Sequence, residues 1–210
     1  MGTVKKYKKQ PKKISRIQDL DLSAIYSYRD YLRWEIEERL ELIKGKVFQM
    51  AGPNTSHQRV SINISGELFQ FLKRRKCEVF AAPFDVRLPV NSKKDKDIFT
   101  VVQPDICVVC DPEKIDFKGV IGAPDIVIEI LSPSNNQKEL KDKYEVYEEA
   151  GVREYWIVHP EERTIFRYIL DDTGKFQPTP LLTVGDTVSS EVLPGIDLDL
   201  TEVFDFPEYH

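Results

Sequence analysis

Pro124–Leu131 (PDIVIEIL) is the stretch on which the architecture of this chain turns. After its Pro-Asp opening it is a short run of Ile, Val and Leu interrupted by one acid, Glu129. A brief apolar run rich in β-branched residues suits a strand buried on both faces. Pro104–Cys110 (PDICVVC) has the same character and the same opening dipeptide. Two such runs predict two interior strands of a sheet.

The elements on either side follow from changes of period. Upstream, Glu78–Leu88 (EVFAAPFDVRL) is strand-like and ends at Pro89, and Asn91–Ile98 (NSKKDKDI) is a charged loop. Before them, Ser56 is placed to cap a long amphipathic helix over His57–Lys76, with Val60, Ile64, Leu68, Phe71 and Leu72 as its apolar stripe. Leu40–Met50 reads as a hairpin turning at Lys44-Gly45, and Ser27–Glu35 as a short helix capped by Ser27. Downstream, a second helix capped by Ser134 or Asn135 carries Leu140, Tyr144, Tyr147 and Ala150 and stops at Gly151. Strands are then expected at Glu154–Val158 and Arg163–Leu170, with a turn at Asp171–Lys175 leading into a last extended pair. Helix, strands, helix, strands predicts an α/β chain built on a mixed sheet flanked by helices.

Composition narrows the class. The chain has 210 residues, 41% of them hydrophobic and 31% charged, a globular balance that fits one domain of ordinary size. Met1–Lys13 carries six lysines and almost no aliphatic residues, so residues 1–13 are expected to be a flexible basic tail and 14–210 a single domain. The tail could solubilise the chain or grip DNA. Without it the balance is 24 bases against 35 acids, or −11, so nucleic-acid binding would need a local basic patch or a bound cation. No apolar run reaches the roughly 20 residues that cross a bilayer, which excludes a membrane partner, and no secretory signal is expected. Three cysteines, an odd number, argue against a disulfide framework and for a reducing cytoplasm.

Asp105 and Glu129 are acids inside apolar strands, where a carboxylate is costly unless paired. On adjacent strands, about 4.8 Å apart, two carboxylates at one level could share a cation such as Mg²⁺, which takes one or two carboxylates plus water and phosphate oxygens. Equally, each acid could sit at a strand end or pair with a lysine or arginine. Asp125 makes the same Pro-Asp opening and shows that the dipeptide alone is not diagnostic.

The order of elements, with Pro104-Asp105 followed by Glu129-Ile-Leu131, resembles the PD-(D/E)XK nuclease signature. More narrowly, the chain resembles the Uma-two family, described as restriction endonucleases. The resemblance rests on Glu41–Lys46, Ser56–Gln58, Ala82–Leu88, Val102–Asp105, Gly122–Ser134, Lys143–Tyr147, Ala150–Val158 and Leu193–Gly195, spanning about Ser27 to Phe204. It implies a restriction-endonuclease-like core and a metal-dependent endonuclease, a hydrolase of phosphodiester bonds. Asp105 and Glu129 would be metal ligands, the Ile130 backbone carbonyl a third, and Glu41 a further acid of the site. The ion would be Mg²⁺, with Mn²⁺ as an alternative. The partner would be nucleic acid, specifically DNA. A homodimer is expected because such nucleases cut two strands with two sites.

One departure matters. The superfamily lysine would stand at position 131, where this chain has Leu131. The family resembled takes its lysine from the following helix, and Lys143 is the matching position. At 100° per residue, Lys143 lies about 65° from the centre of the Leu140, Tyr144 and Tyr147 stripe, against about 95° for Lys141 and about 155° for Lys138. Lys143 is therefore the lysine best aimed toward the sheet, although its stem could also reach back to solvent. His57, which opens its helix and matches the family, could contact the phosphate or the metal, or equally be a surface histidine of the capping region. Cys107 and Cys110 have metal-ligand spacing, but three residues apart on a strand they point to opposite faces and read as core. Lys73–Lys76 reads as a solvated helix end or a DNA contact. The competing function is a catalytically inactive module of the same fold that binds nucleic acid or a protein partner.

Overall fold

The computed structural model describes residues 14–132 and 137–207. The proposed basic tail and the Ser134 or Asn135 cap lie outside these residues. In chain order the strands are β1 (Leu40–Ile43), β2 (Lys46–Gln49), β3 (Glu78–Ala81), β4 (Val86–Arg87), β5 (Val101–Val102), β6 (Ile106–Val109), β7 (Ile115–Asp116) and β8 (Gly119–Ile121). They continue with β9 (Ile126–Ile130), β10 (Glu154–His159), β11 (Thr164–Leu170), β12 (Phe176–Pro178), β13 (Leu182–Thr183), β14 (Thr187–Ser189) and β15 (Asp197–Asp199). The helices are α1 (Tyr28–Tyr31), α2 (Thr55–Leu72), α3 (Gln137–Ala150) and α4 (Leu200–Val203).

The central sheet runs β12-β11-β10-β9-β6-β3, with β13 added beside β11. It is mixed: β9 pairs parallel with β10 and antiparallel with β6. The parallel pair needs a crossover, and α3 supplies it, making a β-α-β unit. Alternation along β9 sorts its side chains. Ile126, Ile128 and Ile130 pack with Val60, Ile64 and Leu68 of α2, whereas Val127 packs with Val146 and Tyr147 of α3. Thus α2 and α3 cover opposite faces, as the apolar runs predict. What the sequence reading lacks is a second sheet, β2-β1-β5-β4-β8-β7, which shares the α3-side core through Ile43, Val86 and Val102.

Local differences have local causes. The cap of α2 is Asn54, whose side chain accepts the His57 N–H at 2.8 Å, and Ser56 is buried in the first turn. Asparagine caps as well as serine, so the helix starts earlier than the Ser56 reading. It also ends earlier, at Leu72, and Arg74 turns the chain at φ 67°. The expected strand over Glu78–Leu88 divides into β3 and β4 around a cis Ala82–Pro83 bond, and the two halves enter different sheets. The hairpin turn holds as read: Lys44 and Gly45 both take positive φ, the geometry of a two-residue turn.

The cysteine reading is corrected. Cys77 and Cys110 form a disulfide, and Cys107 is a buried free thiol. The β3–β6 register pairs Glu78 with Val109, so Cys77 and Cys110 stand opposite each other one step beyond the ladder. An odd total did not exclude one bridge, and the count no longer bears on the cellular compartment. Among the described residues no helix is long and apolar enough to cross a membrane.

Candidate active site

The β9 alternation that buries Ile128 and Ile130 against α2 turns Glu129 toward α3. Lys143 and Tyr147 lie four residues apart on α3 and therefore share a face. The Lys143 Nζ stands 3.1 Å from both Glu129 carboxylate oxygens, and the Tyr147 hydroxyl donates to Glu129 Oε1 at 2.7 Å. The second sheet adds Glu41 from β1, whose Oε2 is 3.0 Å from the same ammonium. Its Oε1 accepts the Gln103 backbone N–H at 2.7 Å. Glu41, Glu129, Lys143 and Tyr147 are all buried, with Glu41 fully enclosed.

Two buried carboxylates therefore share one ammonium. Burial drives the Glu129 carboxyl up to about 8; Lys143 and the Tyr147 hydrogen bond oppose the shift, and Asp105 and Glu41 add to it. Desolvation is the largest of these effects because the buried carboxylate has given up its hydration. The same burial, with Glu129 beside it, holds the Tyr147 phenol well above its ordinary range.

Asp105 occupies the position just before β6. The Ile106↔Ile128 register carries one step further to set Asp105 opposite Glu129. Its Oδ2 accepts the Ile130 N–H at 2.7 Å, and its Oδ1 is 3.1 Å from His57 Nε2. His57 Nδ1 is buried and has no hydrogen-bond partner among the described residues. Asp105 and His57 line a cleft of about 210 Å³ together with Arg39, Gln58 and Ser61. Thus the structure gathers Asp105 with His57 at the cleft, and Glu129 with Lys143 and Glu41 behind it. The peptide between Glu129 and Ile130 joins the two groups.

Among the described residues no three His, Cys, Asp or Glu side chains stand close enough to hold a metal on their own. Asp105 and Glu129 nevertheless fit a hard divalent cation that draws its other ligands from backbone, water and substrate. Glu41 and Glu129 share the one Lys143 ammonium and Asp105 adds a third acid opposite Glu129, so acids outnumber the lysine at this site.

Several participants were not evident from sequence. Tyr147 reads as part of an apolar stripe, and only its i,i+4 spacing from Lys143 hints at a shared target. Gln103 links Glu41 outward: its side chain donates to Asp85 at 2.9 Å and accepts from Arg39 at 2.9 and 3.1 Å. Asp125 has a structural task, accepting the Cys110 N–H at 2.8 Å and pairing with Arg153 at 3.3 Å.

Comparisons with known proteins agree with this architecture. Residues 28–201 match the model of the Uma2 family, described as "Putative restriction endonuclease". An uncharacterised protein of Synechocystis sp. (slr1290) is 27% identical over 151 residues, covering 70% of this chain and 76% of its own length. A second, sll1609, is 25% identical over 129 residues, covering 60% of this chain and 69% of its own. A crystal structure from Anabaena variabilis, described as a "putative nuclease belonging to DUF820", superposes with a TM-score of 0.67 at 22% identity, covering 85% of this chain and 97% of the other. That likeness gives the fold, which is restriction-endonuclease-like. With more than four-fifths of its length inside the family match, the chain belongs to the Uma2 family.

Proposed function

We propose that the protein is a divalent-metal-dependent endonuclease that hydrolyses phosphodiester bonds of DNA. The observation that carries this reading is that Asp105, at the cleft, is tied through the Ile130 N–H to the strand that holds Glu129, which Lys143 contacts just behind the cleft wall. Asp105, Glu129 and the Ile130 carbonyl would hold Mg²⁺ or Mn²⁺, with Glu41 behind them. What a bound divalent cation supplies is polarisation of the phosphodiester and a more acidic attacking water. Lys143 orients that water or stabilises the charge that builds on the phosphate. The Ile130 N–H keeps Asp105 beside Glu129. His57 and Arg39, at the cleft wall, meet the phosphate. A homodimer and a cytoplasmic setting belong to the same reading.

Incubation with single- and double-stranded DNA, with and without Mg²⁺, tests it. Cleavage should require the metal and disappear in Asp105→Ala; cleavage that survives this change refutes the site. The second reading, an inactive binding module, draws on the closeness of Lys143 to both Glu129 oxygens, as in a structural ion triad. Calorimetric titration with Mg²⁺ or Mn²⁺ separates the two, because the module need not take up metal at the acids.

A further inference from the structure

The helix α2 runs away from the cleft and the chain returns along β3, and the seam between them has a hollow at each end, one beside Asp105 and one at the far end of the helix. At the cleft end it is lined by Gln58, Ser61 and Ala81; at the far end by Phe69, Lys73, Arg74, Arg75 and Val79. Gln58, Ile62, Ser65 and Phe69 fall within about 60° on α2, which makes them one stripe. Two of them are large apolar side chains that α2 leaves outside the core: Ile62 is 67% exposed and Phe69 62%. The inner stripe of Val60, Ile64 and Leu68 already satisfies packing, so the outer pair contributes nothing to it.

The far end is basic in a chain of net charge −5. Lys73, Arg74, Arg75 and Lys76 are all exposed, and among the described residues none of them pairs with an acid. Glu78 is the one acid lining that end. Arg75 lies over the Phe71 ring at 3.9 Å, which fixes a guanidinium beside an aromatic surface. Among the described residues β3 is an edge strand paired only with β6, so its outer edge borders the seam.

We infer that this seam is the track for a single strand of the nucleic-acid substrate. Lys73, Arg74 and Arg75 hold its phosphates, Phe69 stacks a base, and Arg39 receives the strand at the cleft. Positive charge along a groove with an exposed aromatic is the arrangement that binds single strands with little sequence preference. From His57 to Lys73 the helix rises about 24 Å, enough for several nucleotides. The assignment rests on the nuclease reading and adds to it where the strand lies.

Fluorescence anisotropy with a labelled single-stranded oligonucleotide, in EDTA so that no cutting occurs, tests the track separately from catalysis. The combined variant Lys73→Ala, Arg74→Ala, Arg75→Ala should weaken binding and lower the slope of log K against log salt by about 2. Phe69→Ala should weaken binding about fivefold or more, and more for single strand than for duplex. The charged-loop variant Lys93→Ala, Lys94→Ala, Lys96→Ala should bind as the parent does. Binding and salt slope unchanged in the triple α2-end variant, or a duplex bound more tightly than the single strand, overturns the track while leaving metal-dependent cleavage intact. A parent protein that neither binds nor cleaves any DNA overturns the track and the nuclease reading together.

Discussion

Lys143 and Glu129, fourteen residues apart, meet with the ammonium 3.1 Å from both carboxylate oxygens, in a place closed to solvent. Glu41 closes the other side of the ammonium at 3.0 Å. One cation thus answers for two buried acids from two different sheets, which makes it a keystone of stability as well as a candidate for chemistry.

Removing that cation should be expensive. Lys143→Met leaves Glu41 buried without its counter-charge, beside a Glu129 carboxyl that burial holds largely protonated at pH 7, and a broken buried pair typically costs about 3–5 kcal/mol. Urea denaturation at pH 7 should show a loss of that size. Lys143→Met, Glu41→Gln should recover part of it, because the stranded acid at position 41 is gone.

Tyr147→Phe removes a 2.7 Å hydrogen bond to a buried carboxylate and should cost about 1.5–3 kcal/mol. In a Glu129→Gln background the same change should cost much less. A double-mutant cycle that finds no coupling would show that the hydroxyl is not spending its bond on Glu129.

The Glu129 carboxyl, raised to about 8 in the fold from about 4.5 unfolded, sets a pH dependence in the metal-free protein. Between those values the native state holds more protons than the unfolded state, so stability falls as pH rises. The contribution is complete below the unfolded pKa and is lost as pH passes through about 8. The urea midpoint in EDTA should therefore decline from pH 5.5 to pH 8.5, and Glu129→Gln should flatten the decline. If Mg²⁺ binds at the acids, it should raise the midpoint at pH 8.5 more than at pH 5.5.

Asp105→Asn keeps a side-chain oxygen for the Ile130 N–H but loses the charge. Cleavage should drop at least about 100-fold, in the range of losing one electrostatic element of a site. The fold should persist, because Asp105 is only partly buried. Circular dichroism alongside the cleavage assay distinguishes the two effects.

Cys107 is buried beside β9, and desolvation pushes its thiol up to about 12. Iodoacetamide at pH 8 should leave it unmodified in the native protein and label it on unfolding, read by intact mass.

Much of the scaffold is legible in local patterns. The Ile/Val runs at Pro104–Cys110 and Pro124–Leu131, the stripe of Val60, Ile64 and Leu68, and the Lys44-Gly45 turn each declare their element, because period and turn chemistry act over a few residues. The 100° rule likewise predicts which lysine of α3 turns toward the sheet, and Lys143 lies there. The Ser56 cap fails for a reason equally local: Asn54 is as good an acceptor and comes first.

The convergences are another matter. Period says that Glu129 faces away from α2, but not that Glu41 arrives from a second sheet, that Tyr147 spends its hydroxyl there, or that Cys77 meets Cys110. Nor does it distinguish Asp105, which lines the cleft, from Asp125, which ties Arg153 and a backbone amide. Those outcomes depend on strand order, on ladder register and on where α3 crosses the sheet, all set by packing between segments far apart in the chain. Side-chain pattern along a segment selects helix, strand or turn; only the assembled sheets select which charges become neighbours, because a single step of register or a change of strand order would send the same residues to different partners.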